Sequence, residues 1–382
     1  TQSRSSAASD VYKRQRPEVL DAMRPFLAGV FGNPSSHHTY GEAAASALDE
    51  ARARVARVLG MRSGDVIFTS GGTESNNLAV KGIVLAALAR GRGHLVVSPI
   101  EHESILESAD YLHRFHGVEV SAAPVDALGR ISASALTETL REDTALVAIG
   151  HANNEIGTIQ DVPSLAAVAR DAGVPLHVDA VQSAGWLPLS DLGADAIAVA
   201  GHKIGTPKGI GVLGVRGRVA LEPLMHGGGQ ERGRRSGTEN VAGAVALATA
   251  LELAEAERDE VNARLSASTG RFIEVVQSLV SQASLTGDPV ARLPATASFT
   301  FTGVSGEAVL LELERRGVVS SSGSACAAGS DEPSHVLLAC GVSPAVAQTS
   351  VRFTFGREAL PSDLPDRLGA LVAESVRAVG HP

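Results

Sequence analysis

Short apolar runs that recur between helix-length segments constrain this chain more than any other feature. Strand-like runs stand at Val66 to Thr69, Leu95 to Ser98, Val118 to Ala122, Ala145 to Ile149, Val174 to Val178 and Ala196 to Ala200. Segments of helical length near 73–90, 102–114, 132–142 and 162–172 lie between them. Such alternation predicts an α/β fold, a mostly parallel sheet with helices on both faces. Upstream, Val19, Leu20, Met23, Phe26 and Leu27 recur at helical spacing until Phe31-Gly-Asn-Pro-Ser-Ser breaks the pattern. Residues 41–59 then return to helix, Ala-rich with interleaved Glu and Arg on a solvated face.

After Gly209-Ile-Gly-Val-Leu-Gly-Val the pattern changes. A glycine-rich connection from His226 to Thr238 leads into a long helical region from about 239 to 280. Beyond it the chain reads as a smaller α+β unit: strand Thr296 to Phe301, helix 305–316, strand Val318 to Ser320, a small-residue loop around Cys326, a short helix near 333–340, strand Val351 to Phe355 and a closing helix 361–379. The expected organisation is an atypical segment over 1–16, a large α/β domain over 17–245 and a small α+β domain over 246–382. A chain of 382 residues is long enough to give each domain its own core.

Hydrophobic content of 44% and charged content of 20% are ordinary for a globular enzyme, so bulk disorder is not expected. The balance of 33 basic against 42 acidic residues gives −9, and no stretch is basic enough to track a phosphate backbone. Nucleic acid is therefore excluded as the expected direct partner. No apolar run approaches the length of a membrane span, Ile83 to Leu88 being among the longest. Two cysteines, Cys326 and Cys340, without a Cys/His cluster support neither a disulfide framework nor a metal site, and a reducing, cytoplasmic setting is expected. Residues 1–16 show no apolar periodicity and no signal-peptide core; Ser and Arg enrichment hints at a transit peptide, and a misjoined gene end fits them better.

Polar groups fall at successive strand ends, where open α/β sheets bind their ligands. The run to Val178 delivers Asp179, with Gln182 one step on, and the run to Ala200 delivers Gly201-His202-Lys203. A lysine that forms a Schiff base and an acid that holds a pyridinium nitrogen suit pyridoxal phosphate (PLP). From these two residues alone, a surface lysine and a helix-capping aspartate are the favoured reading. After Thr69, Gly71-Gly72-Thr73 turns tightly into a helix whose first N–H groups are unpaired and can cradle a phosphate, although the same sequence is good capping chemistry. His102 follows the run at 95–98, where an imidazole can stack on an aromatic cofactor and move protons. Asn153 and Asn154 follow the run at 145–149.

Cys326 lies in Ser320-Ser-Ser-Gly-Ser-Ala-Cys-Ala-Ala-Gly-Ser, small residues that cannot pack a core and that suit a reachable thiol. Cys340, among apolar residues at helical spacing, reads as core packing. Arg352, within Ser350-Val-Arg-Phe-Thr-Phe, is odd in a strand without a partner; it suits a salt bridge or a substrate carboxylate.

Taken together and in order, these motifs resemble those of the cysteine desulfurases, PLP-dependent enzymes of the aspartate-aminotransferase-type fold. The resemblance runs from Pro17 to the C-terminal helix. It rests on Phe31-Gly-Asn-Pro-Ser-Ser, Phe68-Thr-Ser-Gly-Gly-Thr-Glu-Ser-Asn-Asn, Glu101-His102, Asn153-Asn-Glu-Ile-Gly, His177-Val-Asp-Ala-Val-Gln, Gly201-His-Lys, Met225-His-Gly-Gly-Gly-Gln-Glu-Arg, Arg235-Ser-Gly-Thr-Glu-Asn, Ser322-Gly-Ser-Ala-Cys and Val351-Arg-Phe. The loop around Cys326 resembles the branch serving housekeeping and nitrogenase iron-sulfur assembly. The resemblance implies that Lys203 carries the cofactor, Asp179 pairs with its ring nitrogen, Gln182 and Asn154 bond the ring hydroxyl side, and His102 stacks on the ring. Gly72, Thr73, Gly201 and His202 would form the phosphate site, completed by Thr238 from the other subunit of a homodimer, and Arg352 with Asn154 would hold L-cysteine. Cys326 would attack the substrate sulfur, releasing L-alanine and keeping a persulfide for an acceptor such as an iron-sulfur scaffold protein.

Two departures stand out. Where many relatives have a serine before Gly-His-Lys this chain has Ala200, a loss of roughly 1 kcal/mol of cofactor affinity if no water takes its place. Relatives also open with a short strand and an Asn-Ala-Ala-Thr-Thr-Pro-like turn, to which residues 1–16 have nothing similar. The alternatives to an active desulfurase are a PLP enzyme without a thiol step, such as a selenocysteine lyase or small-amino-acid aminotransferase, and a turnover-impaired scaffold for assembly partners.

Overall fold

The structure, a computed structural model, describes residues 14–322 and 332–380. Its larger sheet has seven strands: β1 (Val66–Thr69), β2 (His94–Val97), β3 (Glu119–Ala122), β4 (Thr144–Gly150), β5 (Leu176–Asp179), β6 (Ala196–Ala200) and β7 (Gly211–Val215), ordered β1-β7-β6-β5-β4-β2-β3. The block from β6 to β3 is parallel, whereas β7 runs antiparallel to both β6 and β1. The mostly parallel α/β sheet expected from the sequence is thus present, with one reversed strand that the sequence pattern did not predict.

Both faces of the sheet are covered from β1 to β2, which is why those strands are largely apolar instead of alternating, whereas β3 (Glu-Val-Ser-Ala) at the edge is mostly exposed. In β4, Val147 and Ile149 join a core with helices Thr39–Leu59, Val162–Asp171 and Val241–Ala256, while Leu146 and Ala148 join the opposite core with Gly72–Leu88 and Glu103–His116. Each fully buried Val, Leu or Ile in these layers contributes roughly 1.5–3 kcal/mol.

A second, antiparallel sheet contains β8 (Ala283–Leu285), β9 (Thr296–Phe301), β10 (Ser321–Ser322) and β11 (Ser350–Thr354), ordered β10-β11-β9-β8. Its own core centres on Phe272, which meets Phe299, Phe353 and Phe355 edge-on at 5.1–6.0 Å. The expected strand at Val318–Ser320 is displaced to Ser321–Ser322. Val318 is instead buried in the second core, and pairing with β11 starts only at Ser321 opposite Arg352. The expected long helix over 239–280 is two helices, Val241–Ala256 and Arg258–Leu279, parted at Glu257. Glu257 also receives Arg16, whose backbone N–H donates to the Gly205 carbonyl at 2.9 Å.

Candidate functional site

The C-terminal ends of β2, β4, β5 and β6, neighbours in the sheet, open into one cavity of about 220 Å³. Asp179 ends β5 and Lys203 lies in the tight 3-10 turn Gly201–Lys203 that follows β6. Because β5 and β6 are parallel neighbours, with Asp179 opposite Ala198, the carboxylate and the amine emerge on one edge. Both line the cavity. His102, Asn154, Gln182, His202, Gly72, Thr73 and Arg352 also line it.

Beside Asp179, one wall of the cavity is the start of helix Gly72–Leu88. The first N–H groups of an α-helix lack helical partners and carry its positive dipole end, so this wall favours an anion. It is brought in by two close glycine contacts. A Cβ on Gly211 of β7 would stand 2.6 Å from the Gly71 α-carbon, so only a bare strand lets the turn lean across β7. A Cβ on Gly72 would in turn stand 2.7 Å from Val181 Cγ2 and 3.4 Å from Ala200 Cβ. Gly201 does not line the cavity; its missing side chain leaves room for Thr206 Oγ1 and Ile210 behind the lysine turn.

Asp179 is buried. One carboxylate oxygen accepts the Val181 N–H at 2.8 Å and the other accepts Asn76 Nδ2 at 2.7 Å. Burial pushes the carboxyl above its ordinary range, while these two donors and the charge of Lys203 pull it back. A buried acid held on the raised side suits a cationic ring nitrogen, which would repay its desolvation. The helix start and the Lys203 amine, which line the same cavity, complete a set of groups that fits PLP.

His102 caps helix Glu103–His116: its Nδ1 accepts the Ser104 N–H at 3.0 Å. A backbone N–H can only donate, so Nδ1 is bare and the ring proton of the neutral imidazole sits on Nε2. Arg352 belongs to β11 of the second sheet, yet reaches this cavity and donates to the Asn154 carbonyl at 2.5 Å. The site therefore draws on both sheets.

Thr238 is exposed and does not line the cavity. Its loop is tied beside the cradle by Arg235, which grips Glu74 through two bonds of 2.8 and 3.3 Å. Cys326 lies outside the described residues. Cys340 is a buried thiol in a small apolar cluster, pushed up to about 11 by burial. Among the described residues no group of three or more His, Cys, Asp or Glu side chains is arranged to hold a metal ion.

Several residues at the site went unassigned in the sequence reading. Asn76, Glu101 and Ser104 line the cavity. Glu101 is buried and pushed up to about 8, first by burial and further by Asp179, against the Gly150 N–H and Ser98. Asn153 serves the turn after β4, accepting the N–H groups of Glu155 and Ile156 at 2.8 and 3.0 Å and donating to the Ile100 carbonyl at 2.8 Å.

Comparison with known proteins agrees with this geometry. Residues 9–365 match the Aminotransferase class-V family. The cysteine desulfurase IscS of Dictyoglomus turgidum is 42% identical over 368 residues, covering 95% of this chain and 93% of that protein. The solved structure of a NifS-like protein superposes with a TM-score of 0.90 at 33% identity, over 98% of this chain and 100% of that one. A structure described as SspA in complex with cysteine superposes with a TM-score of 0.80 at 34% identity, over 93% and 100%.

Proposed function

The chain belongs to the class-V aminotransferase family and, within it, to the PLP-dependent cysteine desulfurases, and from that premise we propose how its own residues divide the work. Lys203 would carry the cofactor aldehyde, Asp179 would hold the ring nitrogen, and the turn at Gly72-Thr73 with His202 would take the phosphate, Gly201 shaping the lysine turn from behind. Gln182 and Asn154 would serve the ring hydroxyl side, and His102 would stack on the ring. The observation that carries this reading is the delivery of Asp179 and Lys203 by adjacent parallel strands into one cavity that is also lined by a helix start. Bound there, PLP supplies an electron sink for the bonds at the substrate α-carbon.

Arg352 clamps the carboxylate of L-cysteine, the fork of a guanidinium matching two carboxylate oxygens. With PLP bound, Lys203 would also be placed in this cavity to act as the base toward the substrate α-proton. The thiolate of Cys326 takes the substrate sulfur: an S–S bond forms, the C–S bond breaks, and alanine leaves after protonation. The persulfide passes to an acceptor, for which an iron-sulfur scaffold protein is our first choice. We take the working unit to be a homodimer in which Thr238 serves the partner's phosphate site, a reading supported by its exposure beside the cradle. We take the division between the domains to lie nearer Glu257 than residue 245, since helix Val241–Ala256 serves the first core and Arg258–Leu279 the second. No helix among the described residues is long and apolar enough to cross a membrane. A reducing, cytoplasmic setting suits a working thiol.

The test is to incubate the purified protein with PLP and L-cysteine and to measure alanine and sulfane sulfur. Both are expected in equal amounts, and both should vanish in Cys326→Ala. Equal turnover by that variant would refute the thiol step, and the appearance of a keto acid in place of alanine would refute the desulfurase assignment of these roles.

A further inference from the structure

Asn76 lies one turn inside helix Gly72–Leu88, buried to 1% exposure at the inner wall of the cavity. All of its side-chain hydrogen-bonding groups are engaged. Nδ2 donates to Asp179 Oδ2 at 2.7 Å and to Ser104 Oγ at 2.9 Å. Oδ1 faces His177 Nε2 at 3.0 Å, and an amide oxygen can only accept, so the proton of His177 lies on Nε2. Burial holds this imidazole down to about 3, hence neutral and a steady donor. The Ser104 hydroxyl stands 2.9 Å from the bare Nδ1 of His102 and donates to it. The hydrogen bonds of these five residues therefore run one way, from His177 through Asn76 and Ser104 to His102, with a branch to Asp179.

The direction of this string fixes the amide. Turned over, Asn76 would set its oxygen against the carboxylate and its NH2 against a donor imidazole, losing bonds at both ends. We infer that Asn76 is a positioning residue, the part that aims the Asp179 carboxylate at the cofactor ring nitrogen and locks it in register with His102. The inference rests on the proposed role of Asp179. Five residues from three elements share the arrangement, and Asp179 and His102 at its two ends both line the cavity, which is more than a helix needs for its own stability.

The charged and titratable groups that face Asp179 are His102, Lys203 and Glu101. Removing Asn76 takes away a hydrogen bond to the carboxylate form, so the carboxyl retains its proton to higher pH. A cofactor that needs the carboxylate then binds less well as pH falls, and the loss begins at a higher pH than in the wild type. The experiment is a PLP titration of the apoprotein by fluorescence quenching from pH 5.5 to 9 for the wild type, Asn76→Ala, the isosteric Asn76→Asp and Asp179→Asn, with a folded circular dichroism spectrum for each. Asn76→Ala should weaken PLP roughly tenfold at pH 7, the loss of one charge-assisted bond, and should move the pH midpoint of binding upward. Asn76→Asp keeps the shape but places two carboxyls on one proton, and should shift the midpoint further. Should the alanine variant fail to fold, the aspartate variant alone decides by its midpoint. If affinity and midpoint in the folded variants match the wild type while Asp179→Asn loses PLP, Asn76 has no positioning role. If Asp179→Asn also binds like the wild type, the ring-nitrogen role itself is overturned, and the inference falls with it.

Discussion

Arg52 and Glu231, 179 residues apart in the chain, meet in a buried two-bond pair: Nη1 donates to Oε2 at 2.6 Å and Nη2 to Oε1 at 2.9 Å. The same Glu231 oxygen that receives Nη1 accepts the Phe68 N–H, and Arg52 donates to the Val66 carbonyl, so the glycine-rich connection is fastened to β1. That strand feeds the anion cradle. Glu231→Ala would leave a buried guanidinium unpaired and should cost about 3–5 kcal/mol in urea unfolding. Adding Arg52→Met should recover a large part of the loss, because the orphan charge is then gone.

Glu101 sets a pH dependence on the alkaline side. Its carboxyl is neutral when folded up to about pH 8, whereas in the unfolded chain it releases its proton near 4.5. Between those values the folded state holds the extra proton, so stability falls as pH rises through this window. Glu101→Gln should flatten that slope, gaining on the order of a few kcal/mol over the wild type at pH 8 and nothing at pH 4. Unfolding midpoints at several pH values check it.

Ala200 lines the cavity, with its Cβ 3.4 Å from the place a Gly72 side chain would occupy. A hydroxyl there would add a donor to the phosphate. Ala200→Ser is expected to tighten PLP by about 1 kcal/mol, roughly fivefold, in a titration of the apoprotein.

Arg352→Lys tests the carboxylate clamp. Lysine keeps the charge but not the two-pronged donor, so KM for L-cysteine should rise by about ten- to a hundredfold while PLP affinity changes little. Steady-state kinetics at saturating PLP separate the two effects.

Much of the larger sheet is legible in the sequence because a doubly covered strand must be a largely apolar run, as β1, β2, β4, β5 and β6 are; β3, an exposed edge strand, is not one of these. β7 escaped because Gly211 and Gly214 interrupt its run, and those glycines exist for packing: Gly214 makes room for Met61 as Gly211 does for Gly71. The break at Glu257 has neither Gly nor Pro to announce it. The groups at strand ends are legible for a topological reason, since parallel neighbours deliver their termini to one edge. Asn76 is not, because nothing in a helical run tells which polar residue is turned inward until the facing elements are known. Thr238, on an exposed loop, entered only through family resemblance, whereas Cys326 is legible as a reachable thiol among small residues and lies outside the described residues.

The near contact of Gly71 with Gly211 means that the footprint offered to a phosphorylated ligand is gauged by a residue in the middle of the sheet. A single methyl group at position 211 would lift the helix start away from β6, widening the span between phosphate and amine without altering either. Such a protein would keep all its chemical groups and lose its grip on the vitamin, so variation at this interior glycine deserves to be read as a change in cofactor retention.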